Sequence, residues 1–507
     1  MSLENYFAPY RKNIIGIDLT HELNGAIRPI IYADWTASGR LYRPVEEFIS
    51  YQLGPYVANT HTETNLLGCT MTNTYHQAQQ TIKEHVNACE NDVLICAGAG
   101  MTAVINKFQR ILGLRIPERM KDQITFEDNE KPVVFITHME HHSNQTTWSE
   151  CDVTLEIVKA NDKGLPCLNH LDELLQQYSD RRFKIGSFTA CSNVTGIKTP
   201  YHQLAEIMHE HGGVCFVDFA ASAPYVDINM HPANPKQQLD AIFFSPHKFL
   251  GGPASSGVLI FNRALYKNKV PDHPGGGTVS WTNPWGEHKF FDNIQVREDG
   301  GTPGFLQCIR TALAIKVKES MGTDKIAARE HELTQYLMGE LTKNERVLML
   351  EDKAQERLCI VSFYVLGMHH NLIVKILNDR FGIQTRGGCS CAGTYGHILL
   401  QVDPSMSKKI TEQIDSGDLT EKPGWVRVSL HPTTSDQEAR AIVSAINQTI
   451  ENADLWAQDY FFNPSSGEFK HRNEQTSYPS LDGFEATTCH KPKPKSSILN
   501  KLFKQTS

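Results

Sequence analysis

The sequence predicts an α/β fold: a large, mostly parallel, doubly wound sheet domain followed by a smaller C-terminal α/β domain. Three observations carry this expectation. Between about residues 28 and 310, short apolar runs alternate with helical patterns. Glycine-rich turns close several of those runs, notably Gly98-Ala99-Gly100 and Gly251-Gly252-Pro253. After Gly304 the rhythm changes to a long helical stretch at about 306–343, with separate strands and helices behind it. The boundaries drawn are 1–27 for an N-terminal segment, 28–305 for the large domain, 306–455 for the small domain, and 456–507 for a polar, basic, flexible tail.

In chain order, Asp92 to Cys96 reads as a strand. Gly98-Ala99-Gly100-Met101-Thr102 then opens an amphipathic helix whose apolar stripe is Val104, Ile105, Phe108, Ile111 and Leu112. Pro132 to Ile136 and Lys184 to Thr189 are further strands. Thr199-Pro200 starts a helix with Leu204, Ile207 and Met208 on one face, and Gly212-Gly213 ends it. Val214 to Val217 is a buried strand with Asp218 at its end. Ala241 to Phe244 and Ser256 to Phe261 flank the turn that carries Lys248. In the small domain, Leu358 to Val365 and Trp425 to Leu430 read as strands, Leu372 to Phe381 and Ser435 to Ile450 as helices. The tail, with its basic run Lys491 to Lys495, offers little apolar surface to bury. Its weakly amphipathic end, Ile498 to Lys504, is either an exposed basic segment or a membrane or partner contact.

Composition narrows the function classes. A chain of 507 residues has room for two or three units, and 40% hydrophobic with 21% charged residues suits a soluble globular enzyme. A net charge of −8 argues against a general nucleic-acid binder. No apolar run approaches the roughly 20 residues of a membrane span. The first residues lack the basic start and apolar core of a signal peptide. Twelve scattered cysteines suggest reduced thiols in a cytoplasmic compartment.

The chemistry-bearing residues gather at predicted strand ends. Lys248, in Ser245-Pro246-His247-Lys248, faces the crevice where open α/β sheets bind ligands. Partial burial there would free a neutral amine for a Schiff base, which suits pyridoxal phosphate. Asp218 is either the partner of a pyridinium nitrogen or a turn aspartate. The 98–102 turn is either a single-phosphate cradle or an ordinary strand-to-helix turn. Glu140-His141-His142 places an imidazole where it can stack on a ring or simply pack. In Arg386-Gly387-Gly388-Cys389-Ser390-Cys391-Ala392, the arginine can grip a carboxylate and favour a nearby thiolate. Cys-x-Cys supplies only two metal ligands with no second pair at zinc-ribbon spacing, so no metal is expected.

Together these motifs resemble the class V aminotransferase family of fold-type I pyridoxal-phosphate enzymes, closest to its cysteine desulfurase and selenocysteine lyase branch, over about residues 28–450. The resemblance implies Lys248 as the Schiff-base lysine, with Ser245, His247, Met101 and Thr102 at the phosphate, Asp218 under the ring nitrogen, Asn193 at the ring hydroxyl and His141 against the ring. It implies Arg386 as the carboxylate anchor and Cys391 as the nucleophile that takes sulfur from cysteine, leaving alanine and a persulfide. Gly301-Thr302-Pro303 resembles the segment that reaches the neighbouring subunit's cofactor, implying a homodimer, and a sulfur-acceptor protein is an implied partner. Two departures stand out. Ala221 occupies the family's usual glutamine position, and Cys389 stands where histidine is common. With both cysteines structural, the alternative is an aminotransferase, epimerase or lyase of another amino acid; a non-catalytic binding protein is the remaining class.

Overall fold

Seven apolar runs build the central sheet of the computed structural model, which describes residues 2–487 apart from 125, 126, 128, 354, 355 and 475–477. They are β1 (Asp92–Ala97), β2 (Val133–Thr137), β3 (Thr154–Val158), β4 (Lys184–Thr189), β5 (Val214–Asp218), β6 (Ala241–Phe244) and β7 (Gly257–Asn262). Their order across the sheet is β1-β7-β6-β5-β4-β2-β3. Neighbours pair in parallel except at β7, which runs antiparallel to both β1 and β6.

The strands are apolar on both faces because helices cover both faces. Successive residues alternate sides: Phe135, Val217 and Phe244 enter one core, while Val134, Ile136, Phe216 and Phe243 enter the other. The parallel strands all end at the same edge. The chain leaves that edge at Gly98, His138, Ala190, Phe219 and Ser245, so residues distant in sequence meet there.

The small domain is a four-stranded antiparallel sheet of β8 (Val347–Met349), β9 (Ile360–Val365), β10 (Arg386–Gly388) and β11 (Trp425–Ser429), ordered β8-β9-β11-β10. Helices Thr323–Leu341, His370–Phe381 and Asp436–Glu451 cover it, the last starting from a Ser435/Glu438 capping box.

Three details differ from the sequence expectation. The helical stretch at 306–343 is two helices, Phe305–Met321 and Thr323–Leu341, divided at Gly322, whose φ of +74° favours glycine. The chain near residue 28 does not open the large sheet. Ile31–Tyr32 pairs with Ile383–Gln384 and Ala33 enters the small domain's core. The tail expected from 456 instead begins as a hairpin of Tyr460–Asn463 and Glu468–His471. Phe462 and Phe469 face each other across it with ring centroids 4.8 Å apart, and both lie against His369. Aromatic residues at the right spacing help dock a segment that is polar on average. The Lys491–Lys495 run and the Ile498–Lys504 pattern lie outside the described residues.

Candidate active site

The crevice at the strand ends encloses a cavity of about 230 Å³. Its lining brings together Met101, Thr102, His141, Asn193, Asp218, Ser245, His247, Lys248, Arg386 and Cys391. Thr302 is not among the lining residues; it lies exposed in the loop before helix Phe305–Met321.

One end of the cavity is built for an anion. Helix Met101–Ile111 points its N-terminus inward from the glycine turn. The Met101 N–H donates to Ser245 Oγ (2.8 Å), which keeps the Ser245 hydroxyl proton free to donate. Thr102 Oγ1 and Ser143 Oγ lie 2.6 Å apart. The approach is tight: a Cβ on Gly257 would sit 2.3 Å from the Gly100 carbonyl, and one on Gly100 would sit 3.0 Å from Ser245 Oγ. His247 is pushed down to about 4 by burial and by the adjacent Lys248 charge, so it is neutral at working pH.

The middle of the cavity holds the titratable pair. Lys248 sits on the short turn Pro246–Lys248 after β6, and burial lowers its amine to about 8 despite the opposing pull of Asp218. Asp218 ends β5, and burial raises its carboxyl to about 6 although the Ala220 N–H donates to Oδ1 (2.8 Å). His141 caps helix His142–Ser149 by accepting the Ser143 N–H at Nδ1 (3.1 Å), and burial beside Lys248 pushes it to about 3. Glu140 anchors this corner. It accepts from the Thr137 N–H, the Thr137 hydroxyl, the Thr189 N–H and Asn144 Nδ2, tying β2 to β4. Asn193 donates through Nδ2 to the Ser390 carbonyl (2.7 Å), while its buried Oδ1 has no partner among the described residues. Ala221 also lines this cavity.

The third wall is the loop behind β10. Ser390 (φ +51°) and Cys391 (φ +57°) are consecutive non-glycine residues in the left-handed region. That conformation costs about 1–2 kcal/mol per residue and persists only where contacts enforce it. Three hydrogen bonds do so here: Asn193 Nδ2 to Ser390 O, the His142 N–H to Cys391 O (2.8 Å), and the Gly393 N–H to His142 Nε2 (2.8 Å). The loop thereby turns Cys391 toward the cavity.

A family model described as aminotransferase class-V matches residues 31–442. The chain belongs to the class V aminotransferase family. Curated relatives include a probable cysteine desulfurase of Halalkalibacterium halodurans, 28% identical over 74% of this chain and 86% of the relative. Another, from Streptomyces coelicolor, is 28% identical over 72% of this chain and 83% of the relative. Among solved structures, an apo cysteine desulfurase of Thermococcus onnurineus superposes with TM-score 0.66 at 22% identity, covering 83% of this chain and 95% of the other. The cysteine desulfurase CsdA of Escherichia coli gives TM-score 0.67 at 20% identity, covering 88% and 98%. Those likenesses are of fold and span both the large sheet and the smaller domain of this chain.

The class V site of this chain also holds residues that sequence reasoning missed. Arg427 lines the cavity from the middle of β11, directly opposite Arg386 on β10. Two guanidinium groups in register repel, and Asp34 relieves this by bridging both: Arg386 Nε to Oδ2 is 3.0 Å, and Arg427 Nη2 to Oδ1 is 2.7 Å. Arg427 is fully buried and also donates to the Asn193 carbonyl (2.9 Å). A signal existed, a lone cation inside the apolar run Trp425 to Leu430. Asp34 and His142 carry no comparable local mark, because each acts on a residue more than two hundred positions away.

Proposed function

We propose that this protein is a pyridoxal-phosphate-dependent cysteine desulfurase that releases alanine and leaves the sulfur on Cys391. One observation carries the reading: a thiol on a strained, pinned loop lines the same small cavity as a lysine with a depressed pKa and two arginines. The curated relatives named as probable cysteine desulfurases support it.

The donor set fits the cofactor. The helix N-terminus with Thr102, Ser143, Ser245 and His247 suits a phosphate, Asn193 Oδ1, without a partner among the described residues, suits a ring hydroxyl, and buried Asp218 suits a ring cation. When bound there, the cofactor supplies an electron sink for charge developing at the substrate's α-carbon. The chain's own groups do the rest. Arg427 and Arg386 hold the substrate carboxylate, and Asp34 fixes the two guanidinium planes. The Lys248 amine takes and returns a proton at the α-carbon and β-carbon positions. The Cys391 sulfur attacks the substrate sulfur: an S–S bond forms on the enzyme, the substrate C–S bond breaks, and the carbon fragment gains a proton to become alanine. A cytoplasmic homodimer, with exposed Thr302 serving the neighbouring cavity, completes the reading.

Incubation with cysteine tests this by amino-acid analysis and mass spectrometry of the loop peptide. Alanine should appear with one extra sulfur on Cys391, and Cys391→Ala should cut alanine release by at least about 100-fold. Alanine release at the unsubstituted rate in that variant would sink the assignment.

A further inference from the structure

The loop that carries Cys391 is a partition with a second room behind it. On its outer side lies a cavity of about 270 Å³ between the loop, the 419–423 segment and the hairpin turn at Ser466-Gly467. Arg386, Ser390 and Cys391 line both cavities, whereas Cys389 lines only the outer one. The two cysteines occupy the first and third positions of one turn, closed by the Ala392 N–H donating to the Cys389 carbonyl (3.0 Å).

This partition is fixed. The three hydrogen bonds from Asn193 and His142 hold Ser390, Cys391 and Gly393, and Ala392 is buried in an apolar cluster with Tyr395 and Trp425. A swing of the loop would break that set, and Cys391 itself borders both cavities, so its sulfur can be handed on without one. A thiol two residues away on the same turn offers a route that moves the sulfur and leaves the wall in place. The outer cavity is also charged in one sense. Arg386 and Lys422 line it, no carboxylate does among the described residues, and burial holds its His370 down at about 3, hence neutral. It suits a small anionic ligand.

Resting on the desulfurase reading, we propose that Cys389 is a second sulfur-carrying residue, which takes the terminal sulfur from Cys391 and offers it in the outer cavity to a small anionic thiol. The Cys389 thiolate attacks the terminal sulfur of the Cys391 persulfide, a new S–S bond forms as the old one breaks, and Cys391 leaves as thiolate. The acceptor thiolate repeats the exchange on Cys389 and departs as a persulfide. Each step is a thiol–persulfide exchange with no net oxidation, so no further reactant is needed.

Time-resolved quenching with an alkylating agent, followed by fragment-ion mass spectrometry, tests the route on the cofactor-loaded, unsubstituted protein. With cysteine alone, extra sulfur should appear first on Cys391 and then on Cys389. In Cys389→Ser, turnover with glutathione as acceptor should fall about tenfold. Lys422→Glu should raise the glutathione concentration for half-maximal rate about tenfold and lower that for the cationic thiol cysteamine. Alanine release with sulfur confined to Cys391 at all times would overturn this proposal alone. So would a less than twofold loss in folded Cys389→Ser, or equal effects of Lys422→Glu on both thiols. No alanine and no sulfur on either cysteine would overturn the desulfurase reading with it. The time course on unsubstituted protein decides even if Cys389→Ser does not fold.

Discussion

Burial acts in opposite directions on the two charges at the centre of the cavity. It drives Lys248 toward its neutral form and Asp218 toward its neutral form, from different sides of pH 7. At pH 7.5 about a quarter of a lysine titrating near 8 is neutral, against about 0.1% of an ordinary one. Uptake of pyridoxal phosphate by cofactor-free protein, followed by absorbance, should therefore accelerate as pH rises through about 8 and then level off. A rate that keeps climbing to pH 10 would contradict a depressed amine. For Asp218, a carboxyl raised from 3.8 to about 6 is bound to a proton more readily in the folded chain than in the unfolded one. The empty protein thus carries a penalty of about 3 kcal/mol from this group above pH 6, which fades as pH falls from about 6 toward 4. Asp218→Asn should raise the Tm of cofactor-free protein at pH 7.5, with the advantage over unsubstituted protein shrinking on acidification to pH 5. The same change should cut turnover by at least about 100-fold. Equal Tm values at pH 7.5 would mean the buried carboxylate is stabilised by something other than the cofactor.

Among elements, the hold of helix His142–Ser149 on the Cys391 loop is the one to break first. His142 Nε2 accepts the Gly393 N–H, and burial beside the Lys422 charge keeps the imidazole below its usual range, so that acceptor persists at neutral pH. His142→Ala should lower kcat for alanine release about 10–100-fold with little change in cofactor affinity, and His142→Gln, which restores an acceptor oxygen, should recover part of the loss. Loss of cofactor binding in both variants would instead mark His142 as a pocket residue. The legibility of the site follows the same division. Lys248, Asp218, His141 and Thr102 could be read because each lies within a few residues of a strand end that its own neighbours announce. Arg427, Asp34 and His142 act across 234, 393 and 251 positions of sequence, and a pattern confined to a short window cannot register such partners. The hairpin at 460–471 escaped notice for a related reason: average polarity hid the two phenylalanines whose spacing docks it.

At the scale of the whole molecule, the crevice has walls from both domains, and the C-terminal hairpin braces the outer one. Arg380 pairs with Asp459 (2.5 Å) and lies over the Trp456 ring, Lys375 pairs with Glu474 (2.9 Å), and Asn371 Nδ2 donates to the Gly467 carbonyl (2.7 Å). Exposed pairs of this kind contribute little singly, but the hairpin also covers Tyr460 against Leu372 and Ile376. A chain ended at residue 455 should melt several degrees lower, since Tyr460 and the hairpin's contacts with helix His370–Phe381 leave with it. An unchanged Tm on calorimetry would show the hairpin to be ornamental to stability.

The lone antiparallel strand has a consequence for synthesis. Among the described residues β1 has one neighbour in the sheet, β7, which emerges roughly 160 residues later. At ~5–20 residues per second, a ribosome leaves the apolar run Asp92–Ala97 without its partner for about ten to thirty seconds. The amphipathic helix behind it and the glycine turn for the phosphate wait equally long. A nascent chain held in this way is a natural client for holding chaperones, and its anion cradle takes shape only once β7 has emerged.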